Sequence, residues 1–98
     1  MGAMGRPRRP SPAKRPWEAI GRRLVAARLA LGIQSQAEIC RALKLAPSRW
    51  NQFETGQRQI TLEVALKLKS EYGVTLDWVY LGDPSGLPLA LHQRILAA

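Results

Sequence analysis

The chain has little cysteine or histidine and no long apolar run. Its 98 residues include one cysteine and one histidine. The single cysteine, Cys40, cannot form an internal disulfide, which is typical of proteins of the reducing cytoplasm. Together with His92 it supplies too few ligands for a zinc site. No apolar run approaches the ~20 residues that cross a bilayer, and no secretory signal is visible. We therefore expect a cytoplasmic protein with no membrane contact and no bound metal.

The sequence also lacks the residue groups of an enzyme. No nucleophile is accompanied by a candidate base, and there is no glycine-rich phosphate loop or cluster of metal ligands. We expect a protein that is not an enzyme and needs no cofactor. No strand pattern or internal repeat competes with helical periodicity. The expected fold class is therefore all-α.

Acidic residues are scarce, and they are unevenly distributed along the chain. The chain has 15 basic and 7 acidic side chains and a pI near 10.9, a balance common in proteins with a polyanionic partner such as nucleic acid. Residues 1–16 contain no acid. The remainder is close to balanced, so composition alone assigns the excess charge to the N-terminus.

Residues 1–16 are predicted to form a disordered basic arm. Four prolines in this segment oppose helix and central strand, because proline fixes φ and lacks an amide hydrogen. The arm is either a solvated tail or a segment that enters the DNA minor groove, whose negative potential attracts arginine. Its basic side chains are Arg6, Arg8, Arg9, Lys14 and Arg15.

Helical periodicity begins after the arm. Apolar residues recur at three- and four-residue spacing from Trp17 to Leu31, and similar patterns follow. Helices are predicted to begin near Trp17, Ser35, Pro47, Thr61 and Thr75, with a further helix over residues 88–98. Ser35 and Glu38 have the spacing of a capping box. The fourth helix is predicted to bury Leu62, Ala65, Leu66 and Leu68.

Two short helices joined by a tight turn occupy residues 35–56. In such a pair the second helix lies exposed at the surface of the domain. A helix ~10–12 Å across fits the DNA major groove, which is ~12 Å wide. Trp50 and Phe53 lie three residues apart on one side of that helix, which favours their burial. The other side carries Ser, Arg, Asn and Gln, which hydrogen-bond base edges, and no acid.

The span from about Ile20 to Gly82 resembles the helix-turn-helix domain of the Cro/C1 repressor family, also called the XRE family. The matching elements are Arg28, SQAE at 35–38, FETG at 53–56 and VTLDWVYLG at 74–82. The resemblance implies a five-helix bundle over residues 17–82, a cytoplasmic location, and a dimer that binds palindromic double-stranded DNA. Residues 83–98 would be an extension used in packing or dimerisation.

The resemblance also implies roles for individual residues. Those that match or flank the base-reading positions are Pro47, Ser48, Arg49, Asn51 and Gln52. Those that match phosphate-contacting regions are Gln36, Gln57 and Arg58. Arg28 and Glu54 match a buried ion pair. This chain departs from the family at Ala46, where a capping Ser or Thr is usual, and at Pro47, which has no donor and offers a base only apolar contact.

The function predicted from these residues is sequence-specific DNA binding by a transcriptional regulator, with repression as the default. Two alternatives stay open. The first is an antitoxin that represses its own operon and binds a toxin. The second is a protein-interaction module that kept the fold and lost DNA binding, since a fold alone does not establish function.

Overall fold

The structure is a computed structural model that describes residues 16–97. Helices, with no strand, make up the regular structure of this part of the chain, which confirms the all-α prediction. They are α1 (Glu18–Ala30), α2 (Gln36–Leu43), α3 (Pro47–Glu54), α4 (Leu62–Tyr72), the π-helical turn α5 (Asp77–Leu81) and α6 (Leu89–Ala97). The arm residues Arg6, Arg8, Arg9, Lys14 and Arg15 lie outside the described range.

Side-chain hydrogen bonds form where three helices begin. The Ser35 Oγ accepts the Glu38 N–H at 3.1 Å at the start of α2, and the Thr61 Oγ1 accepts the Val64 N–H at 3.3 Å at the start of α4. The Thr75 Oγ1 accepts the Trp78 N–H at 3.1 Å before α5. Each bond satisfies an amide that the first turn of a helix leaves without a partner, so local sequence sets these boundaries.

The core lies where α1, α2, α3 and α4 meet. Its largest fully buried side chains include Leu24, Ile39, Trp50, Phe53 and Leu68. Cys40 is also buried, and desolvation raises the pKa of its thiol above the ordinary value. The thiol therefore belongs to the packing of α2 and stays protonated at neutral pH.

The α1 and α3 backbones approach closely at a glycine. A Cβ added to Gly21 would lie 2.3 Å from the carbonyl oxygen of Glu54. A second close approach follows at Gly56, where φ is +82° and an added Cβ would lie 2.6 Å from the Cα of Glu18. These two glycines let the beginning of α1 lie against the end of α3, which fixes the direction in which α3 projects.

Helical periodicity predicted two of the four apolar residues of α4 correctly, Ala65 and Leu68, and two wrongly. Leu62 and Leu66 are 58% and 47% exposed, whereas Val64, Ala65 and Leu68 are buried. Both stripes have helical spacing, and which one faces inward depends on the position of the neighbouring helices. Trp17 is likewise 37% exposed at the start of α1.

The C-terminal elements pack on α1. The Arg23 side chain donates from Nε to the Val79 carbonyl at 3.0 Å and from Nη2 to the Tyr80 carbonyl at 3.2 Å, which satisfies acceptors of α5. In α6, Leu91 is buried, and Arg94 donates to the carbonyl of Ala30 at 3.4 Å. Across residues 16–97, none of the helices combines the length and apolar character needed to cross a membrane.

Candidate nucleic-acid interface

The α3 helix is anchored by its apolar side. Trp50 and Phe53 are 0% and 1% exposed, and their rings meet edge to face with centroids 6.3 Å apart. Because these two residues lie on one side of a short helix, the opposite side must project away from the core. The buried pair therefore sets which side chains of α3 face outward.

The projecting side of α3 carries the five residues predicted to contact bases. Four of them are exposed and Gln52 is half-buried; the exposed ones are Pro47, Ser48, Arg49 and Asn51. The Arg49 guanidinium carbon lies 5.9 Å from the centroid of the Phe53 ring, within the distance at which a cation is attracted to an aromatic face. The first turn of α3 has Pro47 at its start and no side-chain cap from Ala46.

The loop after α3 is held by backbone hydrogen bonds. The Gln57 and Arg58 N–H groups both donate to the Gln52 carbonyl, at 3.0 and 3.2 Å. The Gly56 carbonyl accepts the N–H of Trp17 at 3.2 Å. Gln57 and Arg58 are exposed, so their side chains extend from a fixed backbone beside α3.

A single carboxylate holds the back of this surface together. The Glu54 side chain accepts from the Arg28 Nε at 2.6 Å, the Gln36 Nε2 at 2.7 Å and the Trp50 Nε1 at 2.8 Å. Arg28 and Glu54 are each 8% exposed. The only acid of α3 is therefore buried against a cation, which keeps its negative charge away from the exposed face.

The structure brings the predicted phosphate residue Gln36 into contact with a predicted base-reading residue. Its Nε2 donates to the Asn51 Oδ1 at 3.2 Å as well as to Glu54. Sequence reasoning missed this contact because it depends on how α2 crosses α3. The bond from Trp50 to Glu54 was also missed, although their separation of four residues places both side chains on one side of a helix.

Eight residues form what we call the recognition surface. It extends from the start of α2 across α3 to the loop after it, and it consists of Gln36, Pro47, Ser48, Arg49, Asn51, Gln52, Gln57 and Arg58. None of its side chains is acidic, and two are cationic. Such a surface repels neither phosphate groups nor the electronegative edges of bases.

Residues 16–97 contain no cluster of three or more His, Cys, Asp or Glu side chains arranged to hold a metal ion. The Trp78 Nε1 is buried and has no hydrogen-bond partner among the described residues.

Residues 24–79 match the model of a helix-turn-helix family. The match covers more than half of the chain and contains α2, α3 and the turn that joins them. The chain therefore belongs to the Cro/C1-type, or XRE, helix-turn-helix family, and it is a DNA-binding transcriptional regulator. No curated protein and no solved structure gives a significant match.

Proposed function

We propose that the chain is a sequence-specific repressor that binds double-stranded DNA as a homodimer on a palindromic operator. The observation that carries the proposal is the projecting, acid-free face of α3, anchored from behind by the buried Trp50 and Phe53. A helix presented in this way fits the DNA major groove. Occupancy of a promoter by such a dimer represses transcription by excluding polymerase.

The base contacts come from the exposed side of α3. The Gln52 amide pairs with adenine, the Asn51 amide nitrogen donates to base acceptors, Arg49 has the donors that guanine accepts, and the Ser48 hydroxyl pairs with several base edges. Pro47 has no N–H and supplies apolar contact, for example to a thymine methyl group. These residues lie along consecutive turns of one helix, so they would meet adjacent base pairs.

The phosphate contacts come from both sides of α3. Gln57 and Arg58 are exposed in the loop that follows it. At the other side, the backbone N–H of Gln36 lies in the first turn of α2, where helical amides have no intrahelical partner and favour an anion. These contacts would position the protein and make its affinity salt-dependent. The arm residues of 1–16 would add minor-groove contacts.

The dimer contacts come from α5 and α6. Leu81, Leu89 and Leu96 are 75%, 70% and 72% exposed, the highest values among the large apolar side chains of the described residues. A second copy would cover them, and a dimer that binds two half-sites on one face of DNA holds its α3 helices ~34 Å apart, one turn of DNA. A toxin or other protein partner would use the same leucines, so the composition of the purified complex distinguishes these occupants.

The proposal is tested by selecting bound duplexes from a random pool at low and moderate salt. We expect a palindromic motif whose half-sites are ~10 base pairs apart, and light scattering that reports a dimer. Folded protein that binds no duplex at low salt would overturn DNA binding and favour the interaction module. A stoichiometric protein partner would favour the antitoxin.

A matched pair of serine variants tests the surface itself. Ser48→Glu places a carboxylate on the recognition surface, and Ser70→Glu places the same charge on an exposed position of α4. We expect the first variant to lose at least ~10-fold in affinity for the selected duplex, since it repels the phosphates. We expect the second to bind as the parent does. Equal effects of the two variants would refute the assignment of α3.

A further inference from the structure

The Gln36 side chain is occupied within the protein. Both hydrogens of its amide nitrogen are used: one toward the Glu54 Oε1 at 2.7 Å and one toward the Asn51 Oδ1 at 3.2 Å. A side chain that donates in this way has no N–H left for a phosphate. The Gln36 side chain can therefore influence DNA binding only through the residues that it contacts.

The buried carboxylate determines the orientation of both amides. Glu54 is paired with Arg28 and acts only as an acceptor, so the Gln36 atom that faces it must be the nitrogen. The second hydrogen of that nitrogen goes to the Asn51 Oδ1 at 3.2 Å, so Asn51 turns its oxygen toward Gln36. The shape of an amide does not distinguish its oxygen from its nitrogen, but the buried Glu54 fixes the Gln36 nitrogen, and that nitrogen favours the Asn51 oxygen over the Asn51 nitrogen.

The consequence appears on the exposed side of α3. With its Oδ1 directed to Gln36, Asn51 keeps both N–H groups of Nδ2 for a partner outside the protein, and the residue is exposed. A donor of this kind pairs with purine N7, guanine O6 or thymine O4. Cytosine presents only its N4 donor in the major groove, so it offers nothing that Nδ2 can bind.

We infer that Gln36 is a positioning residue that sets the base preference of Asn51. It acts through a relay of hydrogen bonds from Glu54 to Gln36 to Asn51, and its effect is discrimination against cytosine at the base that Asn51 faces. This inference rests on the proposed function, because it requires α3 to lie in the major groove. It differs from a phosphate role for the Gln36 side chain, which would change affinity without changing sequence choice.

The test compares Gln36→Met with Gln34→Met by selection from a random duplex pool. Gln34 is an exposed loop residue two positions earlier, so its variant controls for the substitution. We expect Gln36→Met to release the Asn51 amide, which can then flip and offer its oxygen to cytosine. Discrimination against cytosine should fall roughly 10-fold at one base pair per half-site, the size of one base contact. Gln34→Met should select the parental motif.

Asn51→Ala identifies the base pair concerned and completes a double-mutant cycle. We expect the preference lost in Asn51→Ala to lie at the same base pair, and Gln36→Met to have no further effect there when Asn51 is already alanine. In the free protein, Gln36→Met should shift the NMR signals of the Asn51 Nδ2 amide. Thermal melting verifies folding, and Gln36→Ala replaces the methionine variant if that variant does not fold.

Three results would overturn the relay. They are an unchanged motif in Gln36→Met, additive effects of the two substitutions on all sequences, and unmoved Asn51 amide signals. A parent protein that selects no motif would instead remove the proposed function. In that case the NMR comparison still decides whether Gln36 orients Asn51.

Discussion

Arg28 and Glu54 connect the end of α1 to the end of α3 through a buried ion pair, with the Arg28 Nε 2.6 Å from the Glu54 Oε2. The same guanidinium donates from Nη1 to the carbonyls of Ile33 and Gln34, at 3.0 and 2.8 Å. The pair therefore also closes the loop between α1 and α2. One cation and one carboxylate determine how three helices meet behind the recognition surface.

Loss of either partner should destabilise the protein strongly. Glu54→Gln leaves Arg28 buried without a counter-ion, and Arg28→Met leaves the carboxylate uncompensated. Each should cost about 3–5 kcal/mol of unfolding free energy. Urea denaturation measures the loss, and the double variant should lose less than the two single losses combined.

The exposed pair Arg22–Glu18 is the control for that prediction. It is separated by 3.4 Å, and its side chains are 69% and 43% exposed. Glu18→Gln should change stability by less than about 1 kcal/mol, because solvent screens such a pair. Similar losses for Glu18→Gln and Glu54→Gln would show that burial of the Arg28 pair has no special effect.

Gly21→Ala should force α1 and α3 apart. The new Cβ would lie 2.3 Å from the Glu54 carbonyl oxygen, and backbone cannot move aside as a side chain can. We expect a loss of about 1–3 kcal/mol in a denaturant titration. Gly86→Ala is the matched control, since its Cβ would lie 3.5 Å from a Thr75 methyl group, an ordinary contact. A Gly21→Ala variant as stable as Gly86→Ala would contradict the close approach.

Lys44→Gly should stabilise the turn between α2 and α3. Lys44 is the C-cap of α2 and has left-handed backbone angles, φ 60° and ψ 52°, which cost a residue with a Cβ about 1–2 kcal/mol. Glycine removes that cost but loses more chain entropy on folding, so we expect a net gain of about 0.5–1 kcal/mol by thermal melting. Lys69→Gly, inside α4, should instead lose about 1 kcal/mol. A loss in both variants would contradict the prediction.

Gln52→Ala should weaken binding to the selected duplex and relax specificity at one base pair. The loss of a base contact is expected to cost about 1–3 kcal/mol. Competition binding with cognate and random duplexes measures it. Gln93→Ala, at an exposed position of α6, should leave both affinities unchanged. Equal losses on cognate and random DNA would exclude Gln52 from base reading.

Arg58→Ala should weaken binding to all duplexes alike. Removal of one phosphate contact is expected to reduce the slope of log affinity against log salt by about 1. Lys69→Ala removes the same charge from the last turn of α4, at the opposite end of that helix from the loop, and should leave the slope unchanged. An unaltered slope in Arg58→Ala would remove this residue from the phosphate contacts.

Much of the fold could be predicted locally. Ser35 and Thr61 cap their helices with their own side chains, and Pro47 begins α3 because its missing N–H costs nothing there. The burial of Trp50 and Phe53 follows from their shared side of α3. The prediction was wrong for Leu62 and Leu66, since periodicity gives the spacing of an apolar stripe and not the position of the helix that covers it.

The sequence by itself determined the helices and their order, because the side chains that begin and end each helix lie within a few residues of it. It also determined the polar side of α3, because Trp50 and Phe53 share the opposite side. Only the tertiary structure decided which residues act together. The crossing of α1, α2 and α3 brings Arg28, Gln36 and Glu54 into one group of hydrogen bonds and places Asn51 at its edge. Residues far apart in the chain meet there because of where the helices pack, and no local pattern encodes that position.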